Sequence, residues 1–126
     1  MKIAIDLDFT ITACKNSIEF FKILTHLLIS EHSIFIITNR EPGSVNEIAQ
    51  ELKKLEIQYS QIVITAKKAE GIKENNITIY FENEDEYFLE LGPEVTVFKI
   101  RESGNFDFSE SKKWYGSKKT TLMIDE

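Results

Sequence analysis

Two aspartates, Asp6 and Asp8, lie two positions apart at the end of a short apolar run, Lys2–Asp6. A run of this length and character predicts a buried strand. Side chains two positions apart in an extended segment point the same way, so both carboxylates can face one site. Two close carboxylates repel each other unless a cation lies between them. A hard divalent cation that prefers oxygen ligands, such as Mg²⁺, is therefore predicted here.

Short apolar runs alternate with helix-like segments along the rest of the chain, which predicts right-handed crossovers and helices on both faces of a sheet. The predicted strands are Lys2–Asp6, Ser33–Ile37, Gln61–Thr65, Ile77–Phe81 and Val95–Ile100. The predicted helices are Ser17–Ile29, Ser44–Leu55, Ala66–Glu74 and Asn83–Leu91. We therefore expect a Rossmann-like three-layer α/β/α sandwich with a mostly parallel five-stranded sheet.

Polar residues follow each of the first four predicted strands. In strand order they are Asp6 with Asp8, Thr38 with Asn39 and Arg40, Lys67 with Lys68, and Glu82 with Asn83, Glu84 and Asp85. The carboxyl ends of parallel strands meet at one edge of a sheet, which is where such sheets bind ligands. Asp is also common in ordinary turns after strands. The convergence of acids, a hydroxyl–amide pair and lysine at one edge favours a functional site.

This arrangement resembles the haloacid dehalogenase superfamily, in particular a small phosphatase-like member without a cap domain. The first motif of that family, D-x-D-x-T/V after an apolar strand, is matched by Asp6-Leu7-Asp8-Phe9-Thr10. The Ser or Thr that closes the second strand is matched by Thr38, the motif lysine by Lys68 or Lys67, and the acidic cluster by residues 82–85. The resemblance covers residues 2 to about 100 of a predicted single domain, 1–126, with an irregular extension from residue 101.

The resemblance implies an Mg²⁺-dependent phosphatase that hydrolyses a phosphomonoester through an aspartyl-phosphate intermediate. Asp6 would attack phosphorus. Asp8 would protonate the leaving oxygen and then deprotonate the hydrolytic water. Thr38 and Lys68 would hold the phosphoryl oxygens, with Asn39 adding a hydrogen bond. Thr10 would orient the loop around Asp8.

The metal ligands that the resemblance implies are Asp6, Asp8 (through its main-chain carbonyl), Glu82 and Asn83, with Asp85 in reserve. The family usually has Asp directly after the fourth strand, and this chain has Glu82-Asn83 instead. Because glutamate is longer and asparagine is neutral, the metal site is expected to be weaker than usual. This departure favours a second hypothesis, in which the domain keeps the fold as a binding or regulatory module with weak or no catalysis.

A phosphorylatable receiver domain is a third hypothesis with the same kind of sheet. A receiver needs an Asp at the end of its third strand, whereas the third predicted strand here ends at Thr65 followed by lysines.

Arg40 has two interpretations: it binds a second substrate anion, or it pairs with Glu41 or Glu47. The predicted helices fill the gaps between the motifs and leave no room for a cap. The site is therefore expected to be open, with a phosphorylated substrate that can be large.

The composition limits the other function classes. The chain of 126 residues carries a net charge of −6, so it has no general field to attract nucleic acid. Basic residues near the end (Lys112, Lys113, Lys118 and Lys119) leave a nucleic-acid contact open. One cysteine excludes an intrachain disulfide, and no apolar run approaches membrane-spanning length. We expect a cytoplasmic protein whose Trp114 and Tyr115 serve in packing, and its oligomeric state stays open.

Overall fold

The computed structural model describes residues 1–109. Its sheet has five strands, β1 (Lys2–Asp6), β2 (Ser33–Thr38), β3 (Gln61–Ile64), β4 (Ile79–Glu82) and β5 (Thr96–Lys99). They lie in the order β3-β2-β1-β4-β5, and every pair is parallel. The prediction of a Rossmann-like α/β sandwich is confirmed, and the sheet is wholly rather than mostly parallel.

The order of the strands determines where a ligand site belongs. From β1 the chain builds outward through β2 to β3, and then returns to add β4 and β5 on the other side of β1. The direction of building therefore reverses between β1 and β4. Beyond the carboxyl ends of these two strands lies the crevice in which open parallel sheets bind their ligands. Asp6 ends β1, and Glu82 ends β4.

Helices cover both faces of the sheet: α1 (Lys15–Leu28), α2 (Val45–Lys54) and α3 (Lys68–Glu74). The core between α1, α2 and one face includes Phe21, Ile48, Leu52, Ile5 and Ile36. On the other face, Ile72 of α3 packs in a core with Ala4, Ile37 and Tyr80. Successive side chains of a strand point to opposite faces, so strands covered on both sides are apolar throughout.

The predicted helix Asn83–Leu91 is wrong, because this segment forms only a short 3₁₀ helix, Asp85–Phe88. The backbone N–H groups of Asn83 and Glu84 donate to the Glu82 side chain, at 2.9 and 3.1 Å. These contacts hold Glu84 in an extended conformation with φ −109° and ψ 125°. An α-helix that begins at Asn83 is therefore excluded, and helical turns start only at Asp85.

The segment after β5 is irregular as far as the structure describes it. Residues 101–109 contain no helix or strand, and the rings of Phe106 and Phe108 pack edge to face with centroids 4.8 Å apart. The predictions for Trp114, Tyr115 and the terminal lysines lie outside the described residues. Within residues 1–109, no helix combines the length and apolar character that crossing a membrane requires.

Candidate active site

The tight turn Leu7–Ile11 links β1 to α1 and positions both aspartates. Leu7 and Ile11 are fully buried and anchor the turn in the core. The Thr10 hydroxyl donates to Asp6 Oδ2 at 2.8 Å. The sequence predicted that Thr10 orients the loop around Asp8, but the hydroxyl in fact holds the Asp6 carboxylate.

Asp6, Lys68 and Glu82 form a buried charge cluster at the carboxyl ends of β1 and β4. Lys68 Nζ donates to Asp6 Oδ1 at 2.7 Å and to Glu82 Oε1 at 2.9 Å. All three side chains are almost completely buried. Lys67, the alternative phosphate lysine, lies 77% exposed, with its Nζ 3.7 Å from Glu70. The structure thus places Lys68, and not Lys67, beside Asp6.

Glu82 is 0% exposed, and both of its oxygens already have partners. Oε1 accepts from Lys68 and from the Tyr80 hydroxyl, while Oε2 accepts from the backbone N–H groups of Asn83 and Glu84. Burial, together with the charge of Glu82, raises the pKa of Tyr80 far above its ordinary value. Glu82 could bind a metal only by giving up one of these contacts.

The orientation of the Asn83 amide follows from its neighbours. Thr10 gives its single hydroxyl hydrogen to Asp6, so it can only accept from Asn83. With Nδ2 on that side, the amide lies 3.2 Å from the Thr10 hydroxyl, 3.0 Å from Asp6 Oδ2 and 2.9 Å from Glu82 Oε2. Asn83 therefore bridges the two strand ends as a hydrogen-bond donor.

The environment of the cluster shifts the pKa values of Asp6 and Lys68. Burial raises the pKa of Asp6 to about 7, opposed by the Lys68 ammonium and reinforced by the Glu82 carboxylate. Burial disfavours the charge of Lys68, but Asp6 and Glu82 outweigh it and raise the pKa of Lys68 above its ordinary value. Lys68 is therefore a permanent cation, and Asp6 is the group that changes charge near neutrality.

We expect the Asp6 carboxyl to titrate near pH 7 in the metal-free protein, as ¹³C NMR of the side-chain carboxyl can show. A raised pKa means that the fold favours the protonated form. The stability contribution of Asp6 is thus full below about pH 4 and is lost as the pH rises through about 7. Asp85 is the matched control, since Lys99 at 2.8 Å lowers the pKa of that carboxyl below its usual range. Titration midpoints near pH 4 for both the Asp6 and the Asp85 carboxyl would show that burial does not raise the pKa of Asp6.

Asp8 is held by a different partner from Asp6. Arg40 Nε and Nη2 donate to the two Asp8 oxygens at 2.9 and 2.7 Å, and its Nη1 and Nη2 donate to Glu51 at 2.8 and 3.1 Å. The predicted pairing of Arg40 with Glu41 or Glu47 is wrong. A guanidinium presents five donors in a planar fork, which allows it to hold two carboxylates at once.

Asn39 and Tyr87 join the end of β2 to the segment after β4. Asn39 Nδ2 donates to the Tyr87 hydroxyl at 2.9 Å, and the Tyr87 ring centroid lies 4.1 Å from Lys68 Nζ. Thr38 is buried at the end of β2, and its hydroxyl accepts the N–H of Arg40 at 3.3 Å. The predicted phosphate-binding residues Asn39 and Lys68 thus share one contact network through Tyr87.

A cavity of about 390 Å³ opens over this cluster. The predicted site residues on its lining are Asp6, Asp8, Asn39, Lys68, Glu82 and Asn83. Thr38 is not among the lining residues. Six of the seven predicted site residues therefore line one cavity.

The donor chemistry of the cavity bears on the predicted Mg²⁺. Residues 1–109 contain no group of three or more His, Cys, Asp or Glu side chains placed to hold a metal ion. The cavity is nevertheless lined by carboxylates, with Glu84 and Glu86 adding to Asp6 and Asp8, and these oxygen donors suit a hard cation. The contact between Glu84 and Glu86 raises the pKa of Glu84. Of the predicted ligands, Asp6 and Asp8 line the cavity with carboxylate oxygens, although Arg40 donates to both oxygens of Asp8. Glu82 is engaged elsewhere, and Asn83 faces Asp6 with its amide nitrogen, which is not a metal ligand.

Three residues of the site were missed from the sequence: Tyr80, Tyr87 and Glu51. For Tyr80 a signal existed, because residues two apart on a strand face the same side and Tyr80 precedes Glu82 by two. For Tyr87 the signal was hidden by the incorrect helix assignment. For Glu51 no signal existed in the sequence except that it lies on α2, the helix that follows β2.

Comparison with known proteins adds no further constraint. No protein-family model matches the chain. No curated protein and no solved structure matches it significantly. The fold and the site geometry define an open, parallel α/β protein with a carboxylate–ammonium cluster at its switch point. The likeness to the haloacid dehalogenase superfamily rests on these residues alone.

Proposed function

We propose that this protein is an Mg²⁺-dependent phosphatase that transfers a phosphoryl group from a phosphomonoester to Asp6 and then to water. The observation that carries the proposal is the placement of Asp6. Its carboxylate ends the central strand, lines the cavity, and lies 2.7 Å from the buried Lys68 ammonium. A nucleophile that must meet a phosphate dianion benefits from a fixed cation beside it.

Each remaining residue has a part in this chemistry. Lys68, with Asn39, would bind phosphoryl oxygens on the Asp6 side of the cavity. Asp8 would move the proton at the leaving oxygen and then at water. Glu82 would not touch the substrate; it fixes Lys68 from behind at 2.9 Å. Mg²⁺, held by carboxylate oxygens of Asp6 and Asp8, would supply charge that offsets the incoming phosphoryl oxygens.

The test is hydrolysis of p-nitrophenyl phosphate by the full chain with Mg²⁺ and with excess chelator. We expect turnover that requires Mg²⁺ and that disappears in Asp6→Asn, which controls for a contaminating phosphatase. Turnover that is the same with chelator would remove Mg²⁺ from the proposal. Absence of turnover on this probe and on a panel of phosphomonoesters, together with absence of Mg²⁺ binding by calorimetry, would reject the enzyme.

One observation favours a second function, a binding or regulatory module of the same fold. Arg40 donates to both Asp8 oxygens, at 2.9 and 2.7 Å, so Asp8 would have to give up one of these hydrogen bonds to serve at the leaving oxygen. Such a module would bind a phosphorylated ligand without hydrolysing it. Binding of inorganic phosphate by calorimetry, together with no turnover of any tested ester, would select this second function.

A further inference from the structure

Phe9 has an unusual backbone conformation for a bulky residue. Its φ is 62° and its ψ is 11°, in the left-handed region that a side chain makes costly. Its N–H donates to the Thr12 hydroxyl at 3.0 Å, which helps hold this conformation. Glycine would adopt the same conformation without a steric penalty. Among the described residues Glu56 and Asn76 also have positive φ. Of these three residues only Phe9 lines the cavity of the candidate active site, which makes its side chain a candidate for a role there.

The exposure of Phe9 shows that packing is not this role. Phe9 is 66% exposed as a residue and yet lines the cavity that contains Asp6 and Asp8. A phenylalanine side chain gains its stabilisation from burial, and this one is left largely in water. A molecule that fills the cavity can cover this ring and provide the burial that the fold does not.

The proposed chemistry defines which part of a substrate meets Phe9. The leaving oxygen lies roughly in line with the attacking oxygen, on the side of phosphorus away from Asp6. Asp8 is the residue assigned to protonate that oxygen, and Phe9 follows it directly in the chain. The group attached to the leaving oxygen is thus the part of the substrate that reaches the Phe9 ring.

A second ring borders the same cavity. Tyr87 lines it, and its hydroxyl is fixed by Asn39 at 2.9 Å. Its face is directed at Lys68, 4.1 Å from Nζ to the ring centroid. The cavity therefore combines a charged floor with aromatic surface at Phe9 and Tyr87, a lining suited to an anion that carries an apolar ring.

We propose that Phe9 is a specificity-determining residue that packs against an aromatic ring on the leaving group of the substrate. This inference rests on the proposed phosphatase function and narrows its substrate class to phosphomonoesters of ring-bearing alcohols or phenols. Phe9 takes no part in bond making or breaking. Its effect is on binding, and its replacement changes the preference among leaving groups.

The experiment measures binding of two phosphonates in which a CH₂ group replaces the ester oxygen: benzylphosphonate and ethylphosphonate. Neither can be hydrolysed, so the intrinsic reactivity of leaving groups does not enter. Calorimetry on the full chain with Mg²⁺ is expected to show that the wild type binds benzylphosphonate about tenfold more tightly. In Phe9→Gly, whose backbone suits the left-handed conformation, the preference is expected to fall to about twofold or less.

Phe20→Ala is the matched control, because Phe20 is another half-exposed phenylalanine, on α1 and outside the cavity lining. It should keep the wild-type preference. A preference that survives in Phe9→Gly, or one that is absent from the wild type, overturns the inference while leaving p-nitrophenyl phosphate turnover as separate support for the phosphatase. Failure of both phosphonates to bind the wild type overturns the phosphoryl site itself, and this inference with it.

Discussion

Replacing Lys68 by Met is expected to lower the free energy of unfolding by about 3–5 kcal/mol, the cost of breaking a buried ion pair by removing one partner. The ammonium lies 2.7 Å from Asp6 and 2.9 Å from Glu82, and both carboxylates are almost completely buried. Without it, two carboxylates share a cavity with no opposite charge between them. Denaturant unfolding at pH 8, where Asp6 is ionised in the wild type, measures this loss of stability.

The decrease in the free energy of unfolding caused by Lys68→Met should depend on pH. Asp6 already has its pKa raised to about 7, so it is the group that takes up a proton when Lys68 is absent. Protonation removes one of the two uncompensated charges, and the loss should therefore be smaller at pH 5 than at pH 8. A loss that does not change with pH would show that packing, and not charge, explains it.

Lys67→Met is the matched control for this prediction. The same substitution one position earlier removes a side chain that is 77% exposed and whose nearest acid, Glu70, is 3.7 Å away. Exposed ion pairs of this kind contribute little, so the free energy of unfolding should change by less than about 0.5 kcal/mol. Equal losses in the two variants would contradict the assignment of Lys68 to the site.

The strands and the site edge were predictable because they depend on local patterns. Apolar runs mark strands that are buried on both faces, and parallel strands bring their carboxyl ends together whatever the details of packing. The choice between Lys67 and Lys68 was not predictable. Neighbouring residues of a helix point about 100° apart, so only one can face Asp6, and the choice depends on where α3 begins.

The partner of Asp8 was unpredictable for a related reason. Glu47 and Glu51 lie one turn apart on α2, and both are within plausible reach of Arg40. Which one Arg40 meets depends on how α2 crosses the sheet, which local sequence does not encode. The positive φ of Phe9 was not predicted, because the residue type gives no signal for it. The family that the chain resembles often has Gly at this position, which was a hint of that conformation.

Asp6→Asn is expected to lower kcat for p-nitrophenyl phosphate by at least about 10³-fold, because an amide oxygen cannot form the covalent intermediate. The fold should survive. The amide can still accept from Lys68 and contact Thr10, and the Lys68 ammonium is then left with a single acid, Glu82. Activity and denaturant unfolding measured on the same preparation separate lost chemistry from lost structure.

Asp8→Asn is the matched comparison, since it also replaces a carboxylate with an amide. If Asp6 is the nucleophile and Asp8 serves the water, phosphoryl label should accumulate on the Asp8→Asn chain and be absent from the Asp6→Asn chain. Acid-quenched labelling with ³²P-labelled p-nitrophenyl phosphate distinguishes them, because p-nitrophenolate can leave without the proton that Asp8 would otherwise supply. Label on neither chain, with turnover intact in the wild type, would mean that water attacks phosphorus directly, and that Asp6 acts only through the charge it shares with Lys68.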